Sequence, residues 1–128
     1  MKQEDKELLL KDLSGRLPYG VKIKIKYYDD VWELLAIYTN GTTYATRDIG
    51  YPIETYFEDC KPYLFPLSSM TEEQKKEFAL LQTSPGQEGF LYIWNCAAMI
   101  KWLIENHFDY NGLIPMGLAN DATGLNIY

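Results

Sequence analysis

Cysteine, histidine and long apolar runs are what this chain has least of. Its 128 residues hold two cysteines, Cys60 and Cys96, and one histidine, His107. Two separated thiols build no disulfide framework and, with a single imidazole, fall short of a zinc set. The expectation is buried thiols, no metal and no cofactor. No apolar run approaches the ~18 residues of a membrane span. Met1-Lys2-Gln3-Glu4-Asp5-Lys6-Glu7 lacks the apolar stretch that follows the basic start of a signal peptide. The chain therefore reads as a cytoplasmic protein with no membrane association. Basic residues are scarce too, 12 Lys and Arg against 18 Asp and Glu, for a net charge of −6. Phosphate backbones are bound through clustered Lys and Arg, so direct nucleic-acid binding is not expected. The acids are scattered rather than gathered into one face, and solubility accounts for them. Imitation of the charge of DNA is the sharper alternative. Phosphate-loop patterns are missing as well: no Walker sequence and no GxGxxG occurs. Gly86-Gln87-Glu88-Gly89 has the spacing of a KH-type glycine loop but lacks basic neighbours and contains Glu88.

Aromatic residues, by contrast, make up 15% of the chain, with 11 Tyr, 5 Phe and 3 Trp. Rings of this number should dominate burial. The length suits one domain over residues 1–128 with a core large enough to need no staples.

Residues 21–47 carry the strongest structural signal. Val21-Lys22-Ile23-Lys24-Ile25-Lys26-Tyr27 alternates apolar and basic residues, as a strand buried on one face must. Asp29-Asp30 can turn the chain into a second strand over 31–39, and Asn40-Gly41 is a two-residue hairpin signal leading to a third strand over 42–47. A two-residue loop at Asp29-Asp30 sets Tyr27 against Trp32, Ile25 against Leu34 and Ile23 against Ala36, with Lys26 facing Glu33 on the wet side. A slip of one residue would set lysines against core positions. The second hairpin, with its two-residue loop, puts Arg47 on the core side unless the strand ends there or a bulge intervenes.

Helices flank these strands. Leu8, Leu9, Leu10 and Leu13 predict a first helix over 4–14, stopped by Gly15. Residues 53–57 and 61–65 read as further short strands, the latter an edge strand because of Pro62. Ser69…Glu72 and Thr71…Gln74 both have capping-box spacing and predict a helix to about Gln82 with Phe78 and Leu81 facing inward. Ser84-Pro85-Gly86-Gln87-Glu88-Gly89 breaks it, and Phe90–Ile93 reads as strand or helix entry. A third helix over 95–106, with Cys96, Met99, Ile100, Leu103 and His107 on one stripe and apolar residues around most of its girth, is expected to be central and buried on several sides. The glycine-rich tail after it should dock through its leucines and isoleucines. The fold class is α+β: a small antiparallel sheet of four or five strands, curled as an SH3-like half-barrel or open, with an N-terminal helix and a C-terminal helical pair.

Chemistry is sparse. His107 is the natural acid/base candidate, with Asp109 two residues on to orient it. A Cys96–His107 dyad fails because eleven residues of continuous helix part them by about 16 Å. Cys60 could meet His107 only through the tertiary fold. Adjacent carboxylates, Asp29-Asp30 and Glu58-Asp59, fit no calcium loop. Two features fit binding. Trp102 either packs on another element or offers a partner an aromatic anchor. Lys22, Lys24 and Lys26 form a basic row that either meets an acidic partner or is the wet face of a strand.

Three segments carry a resemblance: Leu8-Leu9-Leu10-Lys11-Asp12-Leu13 leading into Arg16-Leu17-Pro18-Tyr19-Gly20-Val21, Cys60-Lys61-Pro62-Tyr63-Leu64-Phe65-Pro66 running into Ser68-Ser69-Met70-Thr71, and Asn106-His107-Phe108-Asp109 with Gly112-Leu113-Ile114 and Gly117-Leu118-Ala119. Together they resemble a family of small uncharacterised proteins encoded in prophages and mobile elements of gut anaerobes. The resemblance implies an accessory role in phage or element biology and transfers no catalytic residue. The resulting expectation is a non-catalytic protein-interaction module. The alternatives are an inhibitor of a host nucleic-acid enzyme acting by acidic mimicry, and a small enzyme using His107.

Overall fold

Leu9, Asp12, Leu13 and Arg16 share one helix face at i, i+3, i+4, i+7 spacing, and all four are buried in the first helix, α1, Gln3–Arg16. The computed structural model describes residues 1–83 and 90–128. α1 does not stop at Gly15. The Arg16 guanidinium donates to the Asp12 carboxylate at 2.8 Å and to the Phe108 carbonyl at 2.7 Å, which holds the last turn in place. A 3-10 turn, Leu17–Tyr19, follows, and the stop moves to Gly20 at φ 72, a left-handed conformation open to glycine.

Six strands form one sheet: β1 Lys22–Ile25, β2 Val31–Ile37, β3 Thr42–Thr46, β4 Ile53–Tyr56, β5 Cys60–Leu64 and β6 Asn120–Asp121. Their order is β4-β3-β2-β1-β5-β6. All pairings are antiparallel except β5 with β6, which is parallel. β4 and β6 are the two edges, so the sheet is open and not a half-barrel.

The first hairpin keeps its faces but not its expected register. Ile23 pairs with Trp32 and Lys22 with Glu33, so Glu33 lies opposite Lys22 rather than Lys26. A shift of four residues is even, and side chains stay on their sides. The longer loop is made by Tyr27 at φ 72 and by a Tyr28 N–H bond to the Ile25 carbonyl, 3.0 Å. Tyr27 consequently leaves the core and is 90% exposed.

The second hairpin also has a longer loop than two residues. Tyr38 N–H donates to the Thr42 carbonyl at 2.8 Å, and Gly41 at φ 89 donates to the Tyr38 carbonyl at 2.9 Å, a three-residue loop. The register then shifts between Leu34 and Ala36, a bulge at Leu35 that keeps Leu34 with Ala45, and Ile37 with Thr43, on the inner side. β3 ends at Thr46, and Arg47 sits outside the core, its guanidinium 4.9 Å from the Trp32 ring centroid and paired with Asp30.

β5 is not an edge strand, yet Pro62 fits. Lys26 N–H bonds the Asp59 carbonyl at 2.9 Å. By antiparallel alternation the Ile23–Pro62 pair is then a non-hydrogen-bonded one, with the proline nitrogen facing away from β1. β6 reaches only Tyr63 and Leu64, so the proline removes no ladder bond.

The α2 helix, Glu72–Thr83, opens on a reciprocal box: Gln74 N–H donates to Thr71 Oγ1 at 3.1 Å and Thr71 N–H to Gln74 Oε1 at 2.9 Å. The breaker 84–89 lies outside the described residues. Helix α3, Phe90–Glu105, takes in residues 90–93. It is not central. Ala97, Ala98 and Ile100 are exposed, and Leu103 is buried. The inner face of the sheet is already covered: Leu9 and Leu13 of α1, and Leu113, Leu118 and Ala119 of the tail, share one core with Ile23, Ile25, Trp32 and Leu34. The helical pair is also not C-terminal, because residues 106–128 follow it and supply β6 and part of that core. Among the described residues no helix is long and apolar enough to cross a membrane.

Candidate functional site

His107 closes α3. Its N–H bonds the Ile104 carbonyl at 3.1 Å, and Phe108 N–H bonds the Leu103 carbonyl at 2.8 Å. This is a Schellman motif, with Leu103 and Phe108 both buried and His107, at φ 63, in the left-handed position usually given to glycine. The imidazole stacks on Tyr128 with centroids 3.6 Å apart and planes 14° apart. Burial first, then the positive charges of Arg16 and Lys22, lower its pKa to about 4, so it is neutral near pH 7.

The other two catalytic candidates are engaged elsewhere. Asp109 accepts the N–H groups of Leu113 at 2.8 Å and Ile114 at 2.9 Å, one per carboxylate oxygen, and thereby fixes the turn after α3. Cys60 is buried, its thiol pointing to the Tyr56 carbonyl at 3.5 Å. Burial and then the charge of Asp59 push that thiol up to about 12, which keeps it protonated. Among the described residues no hydrogen bond joins any two of His107, Asp109 and Cys60, and no group of three or more His, Cys, Asp or Glu is placed to hold a metal.

Trp102 takes its packing role. Its Nε1 donates to Glu77 at 3.2 Å, and its ring lies 5.6 Å from Phe78 and, nearly parallel, 5.6 Å from Phe108. It fastens α3 to α2 on one side and to the tail on the other.

Two polar anchors escaped the sequence reading. Asp12 and Arg16, both fully buried, form an ion pair that also takes Asn111 Nδ2 at 2.8 Å, and the Arg16 guanidinium lies 5.2 Å from the Tyr110 ring centroid. The signal was present as two charged residues on the Leu9–Leu13 stripe. The second is Tyr128. Its hydroxyl accepts Lys22 N–H at 2.8 Å and donates to the Tyr63 carbonyl at 2.7 Å, bridging β1 and β5 where their ladder would continue. No motif marks such a wedge.

What remains open is the other face of the sheet, and it has two ends. At the β2–β3–β4 end Tyr38 and Tyr56 are 56% and 58% exposed, with Leu35 beside them on the bulge. Tyr44 meets Tyr38 edge-on at 5.5 Å and donates to Glu54 at 3.3 Å, whose charge raises the Tyr44 pKa. At the β1–β5 end a cleft of about 600 Å³ is lined by Lys24, Lys26, Lys61, Tyr27 and Asn120 and by the acids Glu58 and Asp59. The expected basic row is therefore divided. Lys22 is paired with Glu33 at 3.3 Å and stands outside the cleft, whereas Lys61 joins Lys24 directly across the ladder. No family model, curated protein or solved structure matches this chain.

Proposed function

We propose that this chain is a non-catalytic protein-interaction module that docks a partner on the bare face of its sheet, at the tyrosine end. The carrying observation is the exposed set Leu35, Tyr38 and Tyr56, with Tyr44 between the two rings in the sheet, on the face opposite the core. Tyrosine offers large rigid contact area at little cost in side-chain entropy, and exposed large apolar groups gathered on one face mark interaction sites. Glu54 beside Tyr44 adds an acceptor, so a surface presenting arginine, which stacks on rings and pairs with carboxylates, suits this end. The resemblance to proteins of prophages and mobile elements supports an accessory setting. The wet face also carries Lys22, Lys24 and Lys61, which favours docking over imitation of a polyanion.

The test is affinity capture from the native host with mass spectrometry, using the wild type and a Tyr38→Ser/Tyr56→Ser double variant of matched urea midpoint. A partner held by the wild type and lost by the variant is expected. Equal retention by both proteins, or a chain that retains no partner, overturns the reading.

A further inference from the structure

The opposite end of the same face carries a second, separate site. Lys24 and Lys61 sit directly opposite each other across the β1–β5 ladder. Like charges in that position are unfavourable in a sheet, and in a chain of net charge −6 acids were available to avoid it. Lys26 lies one residue past the end of β1, its N–H still bonded to the Asp59 carbonyl at 2.9 Å. Neither Lys26 nor Lys61 makes an ion pair with a described residue, while Glu58, which also lines the cleft, is paired with Lys6 at 3.4 Å. Lys24 donates to the Ile25 carbonyl at 3.5 Å and to the Tyr28 carbonyl, neutral acceptors that leave its positive charge unneutralised. Tyr27 walls the cleft. It holds φ 72, a region that side-chain-bearing residues occupy at a cost, and its ring lies 5.2 Å from Lys26 Nζ. Asn120 contributes an amide.

From this arrangement we infer that the Lys24–Lys26–Lys61 cleft binds a phosphate-type oxyanion, free or as a monoester. Lysine binds phosphate as a point charge, and three ammonium groups around one cleft match a dianion better than a single carboxylate. A cleft of about 600 Å³ leaves room for an ester substituent against the Tyr27 ring. Asp59 works against the anion, and this sets the sign of the decisive test. The site does not depend on the tyrosine end.

Two-dimensional NMR of the full chain at low salt, titrated with inorganic phosphate and with phenyl phosphate, reads it directly. Saturable shifts are expected at the amides of 24–27, 59–61 and 120. Tighter phenyl phosphate assigns an ester ligand, and equal affinity assigns the free ion. Lys61→Gln and Lys26→Gln, both on exposed side chains, should each weaken binding about five- to tenfold. Asp59→Asn should tighten it about two- to fivefold by removing a like charge. The Tyr38→Ser/Tyr56→Ser variant should bind as the wild type does. Absence of saturable shifts, unchanged affinity in both lysine variants, or weaker binding by Asp59→Asn, which is the result for a zwitterionic ligand seated on that carboxylate, overturns the inference.

Discussion

α1 carries Lys, Asp or Glu on most of its turns, yet Leu9, Asp12, Leu13 and Arg16 are fully buried. α3 is apolar around nearly its whole girth, yet Ala97, Ala98 and Ile100 face solvent and Ile100 is 45% exposed. The difference lies in what each helix is fastened to. α1 lays a narrow stripe on the inner face of the sheet and closes it with an ion pair, shared with Asn111 and the Phe108 carbonyl of the tail. α3 lies outside that core and is held near its C-terminal end, through Leu103, Trp102 and the His107 turn. A stripe with a partner decides burial, and mean hydropathy does not.

Breaking the α1 attachment should have the largest effect. Asp12→Ala leaves Arg16 charged and buried without its carboxylate and should cost about 3–5 kcal/mol in urea unfolding. An Asp12→Leu/Arg16→Met variant should recover much of that loss, since apolar replacement of a buried pair is often neutral. If the single variant loses under about 1 kcal/mol, the contrast between the helices collapses.

The tail that anchors the end of α3 comes next. Tyr128→Phe removes the hydroxyl that bridges Lys22 N–H and the Tyr63 carbonyl, and should lower stability by about 1–3 kcal/mol. His107 supplies a pH signature at the same place. Its pKa falls from an ordinary 6.5 to about 4 on folding, so between those values the unfolded chain takes a proton that the folded one refuses. Stability is therefore fully present above pH 6.5 and drains as the pH falls toward 4. The imidazole is half-buried, and solvent screening trims the loss to roughly 1–2 kcal/mol. Urea midpoints measured from pH 7 to 4 should show this decline in the wild type and a shallower one in His107→Gln. The free face of α3 gives the smallest change: Ile100→Ser should shift stability by under about 0.5 kcal/mol, and a loss above about 2 kcal/mol would mean that this face is packed after all.

Much of the fold was legible because its signals are local. Strand alternation around Ile23 and Ile25, the Thr71–Gln74 box and the fourth and fifth strands all appear where periodicity and capping place them. Loop lengths were not, since Tyr27 takes a left-handed conformation that no residue-type rule assigns to tyrosine. The same limit applies to the lysine end of the sheet. Lys24 and Lys26 are visible as a row, but Lys61 joins them through a strand pairing between residues far apart in the chain. His107, Asp109 and Cys60 carry reactive groups by type, and only the fold shows each one engaged in a helix cap, a turn or a buried contact.

By itself the chain determined an α+β domain with an alternating meander, an amphipathic first helix and a capped second one, because each rests on the period of side chains along a few adjacent residues. Tertiary structure decided which surfaces stay bare, since coverage depends on contacts between elements far apart in the chain. α1 and the tail claimed the inner face, α3 was left at the margin, and the outer face kept its tyrosines at one end and its lysines at the other.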